Sequence, residues 1–182
     1  MPHFSDISYS SSDGLALYAR DYHAHSGPAR LPVICIHGLT RNSADFDEVA
    51  PEIARMGRRV IAVDVRGRGN SQYDCKPEHY NPAVYADDVA KLARDLGIAR
   101  AVFIGTSMGG LVTMTMALRH PQLVAASILN DTGPKLSQKG LARIAGYAGK
   151  CAPLASWDHA VDAIRQINES AFPDNSTDEW SK

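Results

Sequence analysis

Phe103-Ile104-Gly105-Thr106-Ser107-Met108-Gly109-Gly110 decides how the rest of the chain is read. An apolar, strand-like run ends in a serine flanked two residues away on either side by glycine, and a helix-forming stretch begins at once. A strand that turns sharply into a helix with serine at the apex has the geometry of a nucleophile elbow. The bland reading of the same residues is a serine capping the helix that starts at Met108. The five-residue pattern is short enough to arise by chance, so its neighbours have to carry the case.

Outward from the elbow, strand and helix signals alternate. Leu31 to Ile36, Arg59 to Val65 and Ala101 to Thr106 are short continuous apolar runs, expected for strands buried on both faces, and Val124 to Leu129 gives a fourth. Between them, Phe46, Val49, Ile53 and Met56 predict a helix over 45–56 that stops at Gly57. Val84, Tyr85, Val89, Leu92 and Leu96 predict another, opened by Pro82 and closed by Gly97, and Met108 to Arg119 a third. Gln72 to Asn81 reads as irregular loop. Such alternation implies right-handed crossovers and a parallel sheet covered on both sides, with its loops gathered at one edge. Ahead of it, β-prone segments around Asp13-Gly14 in 7–22 predict an antiparallel edge hairpin.

The rhythm breaks after Asn130-Asp131-Thr132-Gly133-Pro134. Helical patterns over 136–147 and 159–171 follow with no strand between them, and 174–182 reads as a polar, unanchored tail. The expected organisation is a sheet core over 1–134 and a smaller helical segment over 135–182.

Composition excludes some function classes. The chain has 182 residues, 45% hydrophobic and 21% charged, with a formal charge of -1 from interspersed signs, so no basic face is available for nucleic acid or an anionic membrane. Cys35, Cys75 and Cys151 show no metal-ligand spacing, and they read as reduced thiols of a cytoplasmic protein, with Cys35 as core filler. Neither a signal-peptide pattern nor a membrane-length apolar run is present in the sequence. No cofactor or metal is expected.

Four features occur in a fixed order: His37-Gly38 after a strand, Asp64-Val65-Arg66-Gly67-Arg68-Gly69-Asn70-Ser71 after the next, the serine elbow, and Leu129-Asn130-Asp131-Thr132-Gly133-Pro134. As a set they resemble the α/β-hydrolase superfamily, in particular its small bacterial esterase, lactonase and carbon-carbon hydrolase branch with a helical cap. The resemblance implies a doubly wound, mostly parallel sheet with an N-terminal antiparallel hairpin and the start of a helical cap over 135–182. It implies Ser107 as nucleophile of a Ser-acid-His triad, with Gly105 and Gly109 removing side chains where strand and helix cross, and the Leu39 and Met108 backbone N–H groups as the oxyanion hole. His37, Asp64 and Arg66 are structural on this reading, His120 is a helix-end residue, and Arg68 and Ser71 are loop residues.

A serine hydroxyl needs an imidazole to take its proton and a carboxylate to orient that imidazole. In the family the base lies near the C-terminus, and nothing in this sequence matches it; His3, His23, His25, His79 and His159 have no reason to converge on Ser107. Asp131 matches a minority position for the acid, against a plain turn-forming use of Asn-Asp-Thr-Gly-Pro. The acid, the base and the last core strands are therefore expected outside residues 1–182, in a C-terminal continuation or a second chain.

The leading expectation is hydrolysis of a small carboxylic ester or lactone. Carbon-carbon cleavage of a ring-fission diketone uses the same triad, and a catalytically silent fold that binds a ligand is the reading from another class. Dehalogenation and epoxide opening are disfavoured, since the relatives that perform them carry Asp at the position of Ser107.

Overall fold

In a computed structural model, residues 4–25, 28, 30–133, 135, 137–149, 154–169 and 172–181 are described. His3, Cys151 and the predicted helix ends at 136 and 171 lie outside them. Among the described residues six strands form one sheet: β1 (Ser5–Ser10), β2 (Ala16–Tyr22), β3 (Val33–Ile36), β4 (Val60–Asp64), β5 (Ala101–Thr106) and β6 (Val124–Asn130). Their spatial order is β1-β2-β4-β3-β5-β6. The first two strands form the expected antiparallel hairpin, β2 runs antiparallel to β4, and the pairs β3/β4, β3/β5 and β5/β6 are parallel.

The continuous apolar runs are explained by where alternate residues go. Ile34, Ile36, Ile61 and Val63 face one way, against Tyr85, Val89 and Leu92 of helix α2 (Pro82–Asp95) and Val112 and Met116 of α3 (Met108–Arg119). Their neighbours Val33, Cys35, Val60 and Ala62 face the other way, with Phe46, Ala50 and Ala54. Both faces are dry, so period-2 alternation disappears from the sequence. Burial pushes the Cys35 thiol up to about 12, as befits core filler, whereas Cys75 is exposed.

Three local readings need correction. The helix predicted over 45–56 is a 3-10 turn, Ser43–Phe46, capped by the Asn42 side chain at Ala44 N–H, followed by a shorter α1 (Val49–Arg55). Pro51 falls in the first turn of α1, where its missing N–H leaves no helix bond unmade. The Asp13-Gly14 dipeptide lies in a five-residue connection instead of a two-residue turn; Gly14 supplies φ +88° and the Ser11 hydroxyl accepts from Leu15 N–H at 2.8 Å. The loop before α2 contains a 3-10 turn at Pro77–His79, and Asn81 then caps α2 with Pro82 at its first position.

The chain divides into two compact units, Met1–Pro134 and Lys135–Lys182. The second contains α4 (Gln138–Tyr147), α5 (Trp157–Asn168) and α6 (Thr177–Trp180). The C-terminal tail is thus anchored where an unanchored segment is expected: Ser176 and Glu179 form a capping box, and Phe172 meets Trp180 edge-on at 6.4 Å. Among the described residues no helix is long and apolar enough to cross a membrane.

Candidate active site

Strand β5 lies between β3 and β6, with Ile36 beside Gly105 and Thr106 beside Asn130. One residue on, Ser107 adopts φ 53°, ψ −113°, and its N–H donates to the Asn130 carbonyl at 2.9 Å. A side-chain-bearing residue held at positive φ stores on the order of 1–3 kcal/mol of strain. Helix α3 starts immediately, the Ser107 carbonyl accepting from Gly110 N–H at 2.9 Å. The Ser107 side chain makes no capping hydrogen bond, so capping does not explain the serine.

Packing around the turn explains its glycines. A Cβ on Gly105 would stand 2.5 Å from both the carbonyl carbon of Gly109 and Thr113 Oγ1. One on Gly109 would stand 2.6 Å from the carbonyl carbon of Ile36, so helix and strands touch backbone to backbone. Gly110 has a demand of its own that the sequence does not reveal, because a Cβ there would run into Thr132.

The loop after β3 is the other wall. A Cβ on Gly38 would be 3.8 Å from the Cβ of Ser107, and Leu39 packs against the apolar cluster to which Met108 belongs. Neither the Leu39 nor the Met108 N–H finds an acceptor among the described residues. Met108 stands at the first turn of α3, where unpaired N–H groups and the helix dipole favour negative charge.

His37 is fully buried and committed. Its Nε2 accepts from Val65 N–H at 3.2 Å and its Nδ1 donates to the Gly38 carbonyl at 2.7 Å, a pairing that requires the neutral Nδ1–H tautomer. Burial holds its pKa below the usual imidazole value, reinforcing neutrality. Asp64 accepts from Ser43 N–H at 2.6 Å and Asn70 N–H at 2.8 Å, tying together the loops that follow β3 and β4. Two supposed loop residues do more than fill space. Ser71 Oγ donates to the Asp64 carbonyl at 2.7 Å and accepts from Tyr18 N–H at 2.9 Å, while Arg68 Nε donates to the Leu39 carbonyl at 2.7 Å.

Arg66 is buried at 1% exposure, with paired 2.8 Å bonds to Asp88 on α2 and further bonds to Asp13 and Asp74. Asp13, Asp74 and His79 are grouped closely enough for metal ligation, but the Arg66 guanidinium contacts all three and already supplies the positive charge.

The other histidines are engaged elsewhere: His79 at Asp74, His120 at Asp87 and His23 at the Ser5 hydroxyl. His159 lies in the second unit, at the start of α5. The Ser107 hydroxyl makes no hydrogen bond among the described residues. Asp131 shares positive φ with Ser107, at 52°, and follows β6 at the level where Ser107 follows β5.

The family model for the alpha/beta hydrolase fold matches residues 32–175. This chain belongs to the α/β-hydrolase family. It is 33% identical over 165 residues to a 3-hydroxybutyrate-oligomer hydrolase of Cupriavidus necator, an alignment covering 90% of this chain and 56% of the relative. It is 39% identical over 119 residues to a 2-(acetamidomethylene)succinate hydrolase of Mesorhizobium japonicum, covering 64% of this chain and 40% of that one. A solved α/β hydrolase from Novosphingobium aromaticivorans superposes with a TM-score of 0.91 at 41% identity, covering 100% of this chain and 62% of the neighbour. This α/β-hydrolase chain thus spans between about two fifths and two thirds of the length of these three proteins.

Proposed function

We propose that this α/β hydrolase cleaves a small carboxylic ester or lactone through an acyl-enzyme on Ser107. The observation that carries the reading is the strained backbone of Ser107, φ 53°, kept at the apex of a turn whose glycines admit no alternative packing. Strain of this kind persists only where its surroundings enforce it. In the proposed step Ser107 Oγ gives its proton to the imidazole base and attacks the carbonyl carbon, the Leu39 and Met108 N–H groups receive the developing oxyanion, the C–O bond to the alcohol breaks as that oxygen takes the proton, and water later releases the acid and frees Ser107.

Oligomers of a hydroxy acid are joined by carboxylic esters, so the resemblance to a 3-hydroxybutyrate-oligomer hydrolase favours ester cleavage over carbon-carbon cleavage. The imidazole base is assigned to sequence outside residues 1–182 or to a second chain, with Asp131 as one carboxylate able to orient it. On this reading residues 135–182 are a helical cap segment.

The test is a fluorophosphonate probe on the full-length protein. Labelling at Ser107, abolished together with ester turnover in Ser107→Ala, is the expected result. Turnover that survives in Ser107→Ala overturns the mechanism.

A further inference from the structure

Leu39 joins two peptide groups, and each is gripped. The 38–39 peptide carries the N–H assigned to the oxyanion hole. Its opposite end, the Gly38 carbonyl, accepts from His37 Nδ1–H at 2.7 Å and from Arg41 N–H at 3.2 Å. A trans peptide points its N–H and C=O in opposite directions, so holding the carbonyl aims the N–H. Arg41 belongs to the same loop, whereas His37 is held in turn by Val65 N–H at its Nε2.

A second grip, on the other peptide group of Leu39, comes from Arg68. Its Nε–H donates to the Leu39 carbonyl at 2.7 Å, and one terminal nitrogen donates to the Gly67 carbonyl at 3.0 Å. The guanidinium therefore spans the loop after β3 and the loop after β4. The second loop is itself fixed, by Arg68 N–H to Val65 C=O at 3.0 Å, Ser71 N–H to Arg68 C=O at 2.9 Å and Gly67 N–H to Gln72 C=O at 2.9 Å. Arg68 itself is only half-buried, and Arg66, two residues earlier, bears the structural ion pairs of this segment.

We propose that Arg68 is a positioning residue: by bonding the Leu39 carbonyl from a separate, rigid loop, it keeps the Leu39 N–H aligned with the oxyanion that forms on attack by Ser107. This rests on the reading of Ser107 and the oxyanion hole given above. A guanidinium suits the task because its planar fork reaches two carbonyls at once and stays protonated at every working pH. An oxyanion donor acts through placement, and misplacement by about 1 Å lowers rates by about a hundredfold.

The experiment compares wild type, Arg68→Ala and Arg68→Lys in the full-length protein. It reads fluorophosphonate labelling rate at Ser107, kcat and KM on a nitrophenyl ester, and the melting temperature. For Arg68→Ala, labelling and kcat fall by about tenfold to a hundredfold, KM stays within about twofold as expected for an interaction made in the transition state, and added guanidinium ion restores part of the rate. Arg68→Lys, which keeps one donor and the charge, falls between wild type and Arg68→Ala and serves as the readout if the alanine variant does not fold. Wild-type kcat and labelling in both variants, or a raised KM at unchanged kcat, overturns the positioning role while leaving Ser107 in place. Failure of the wild type to label at Ser107 overturns the site reading, and the role of Arg68 with it.

Discussion

Gly109 lies so close to the end of β3 that a Cβ on it would stand 2.6 Å from the carbonyl carbon of Ile36 and 2.9 Å from the carbonyl oxygen of His37. Those neighbours are backbone and cannot rotate away. Gly109→Ala is expected to destabilise by about 3 kcal/mol or more, the upper end for overpacking, read as a shift in urea midpoint. Gly110→Ala meets the Thr132 side chain instead, which can yield, so its penalty should be smaller and should shrink further when combined with Thr132→Ser. Equal penalties for the two alanine variants would contradict this picture of the elbow.

Ser107 gives the opposite sign. Ser107→Gly relieves a positive φ and should stabilise the protein by about 1 kcal/mol, at the lower end of the strain range, while abolishing turnover. A Ser107→Gly protein less stable than wild type would show that the turn is not strained.

For Arg66 the expected outcome is severe. Arg66→Ala leaves Asp88, and with it Asp13 and Asp74, without their shared cation, and removal of one partner from a buried pair costs about 3–5 kcal/mol. Arg66→Lys recovers little, since an ammonium cannot make the paired bonds to Asp88 while also reaching Asp74. Chemical denaturation of the three proteins checks the order.

The buried imidazole of His37 has a folded-state pKa lowered by desolvation, so as pH falls below about 6.5 the unfolded chain takes up the proton first. Its contribution to stability is complete above that pH and is lost as pH falls toward the depressed folded value, at up to about 1.4 kcal/mol per pH unit. Nitrogen NMR should find the ring in its neutral Nδ1–H form and titrating below the ordinary imidazole value. A ring that titrates at the ordinary value would remove the pH-linked loss assigned to it.

Strand β6 pairs with β5 on one side, and Ile128 and Leu129 stand exposed on it, at 55% and 40%. An open edge with apolar side chains invites association. Residues 1–182 expressed alone should aggregate or melt without cooperativity; a sharp, reversible melt of a monomer would contradict this.

Much of this was legible because the signals are local. Continuous apolar runs such as Val33 to Ile36 mark strands covered on both faces, and Pro82 and Gly97 bracket a helix whatever packs against it. The turn at Ser107 was legible too, because an apolar strand run before it and a helix-forming stretch after it agreed. What escaped was contact between distant segments: Thr132 against Gly110, Ser71 bridging β2 and β4, Arg68 reaching Leu39. No spacing rule encodes a bond formed only when two loops fold onto one edge of a sheet. The short last helix is a different miss, because Ser176 with Glu179 three residues later is a capping box written in the sequence itself.

The single carboxylate of Asp64 ends on the N–H groups of Ser43 and Asn70, and Arg68 adds a second tie between the same two loops. In the loop after β3 both ties end on backbone groups, Ser43 N–H and Leu39 C=O, so a loop transplanted from a relative keeps them only if its backbone follows the same path. The backbone paths after β3 and β4 are therefore matched to each other, and a change of length in one should be tolerated only when the other changes in the same step.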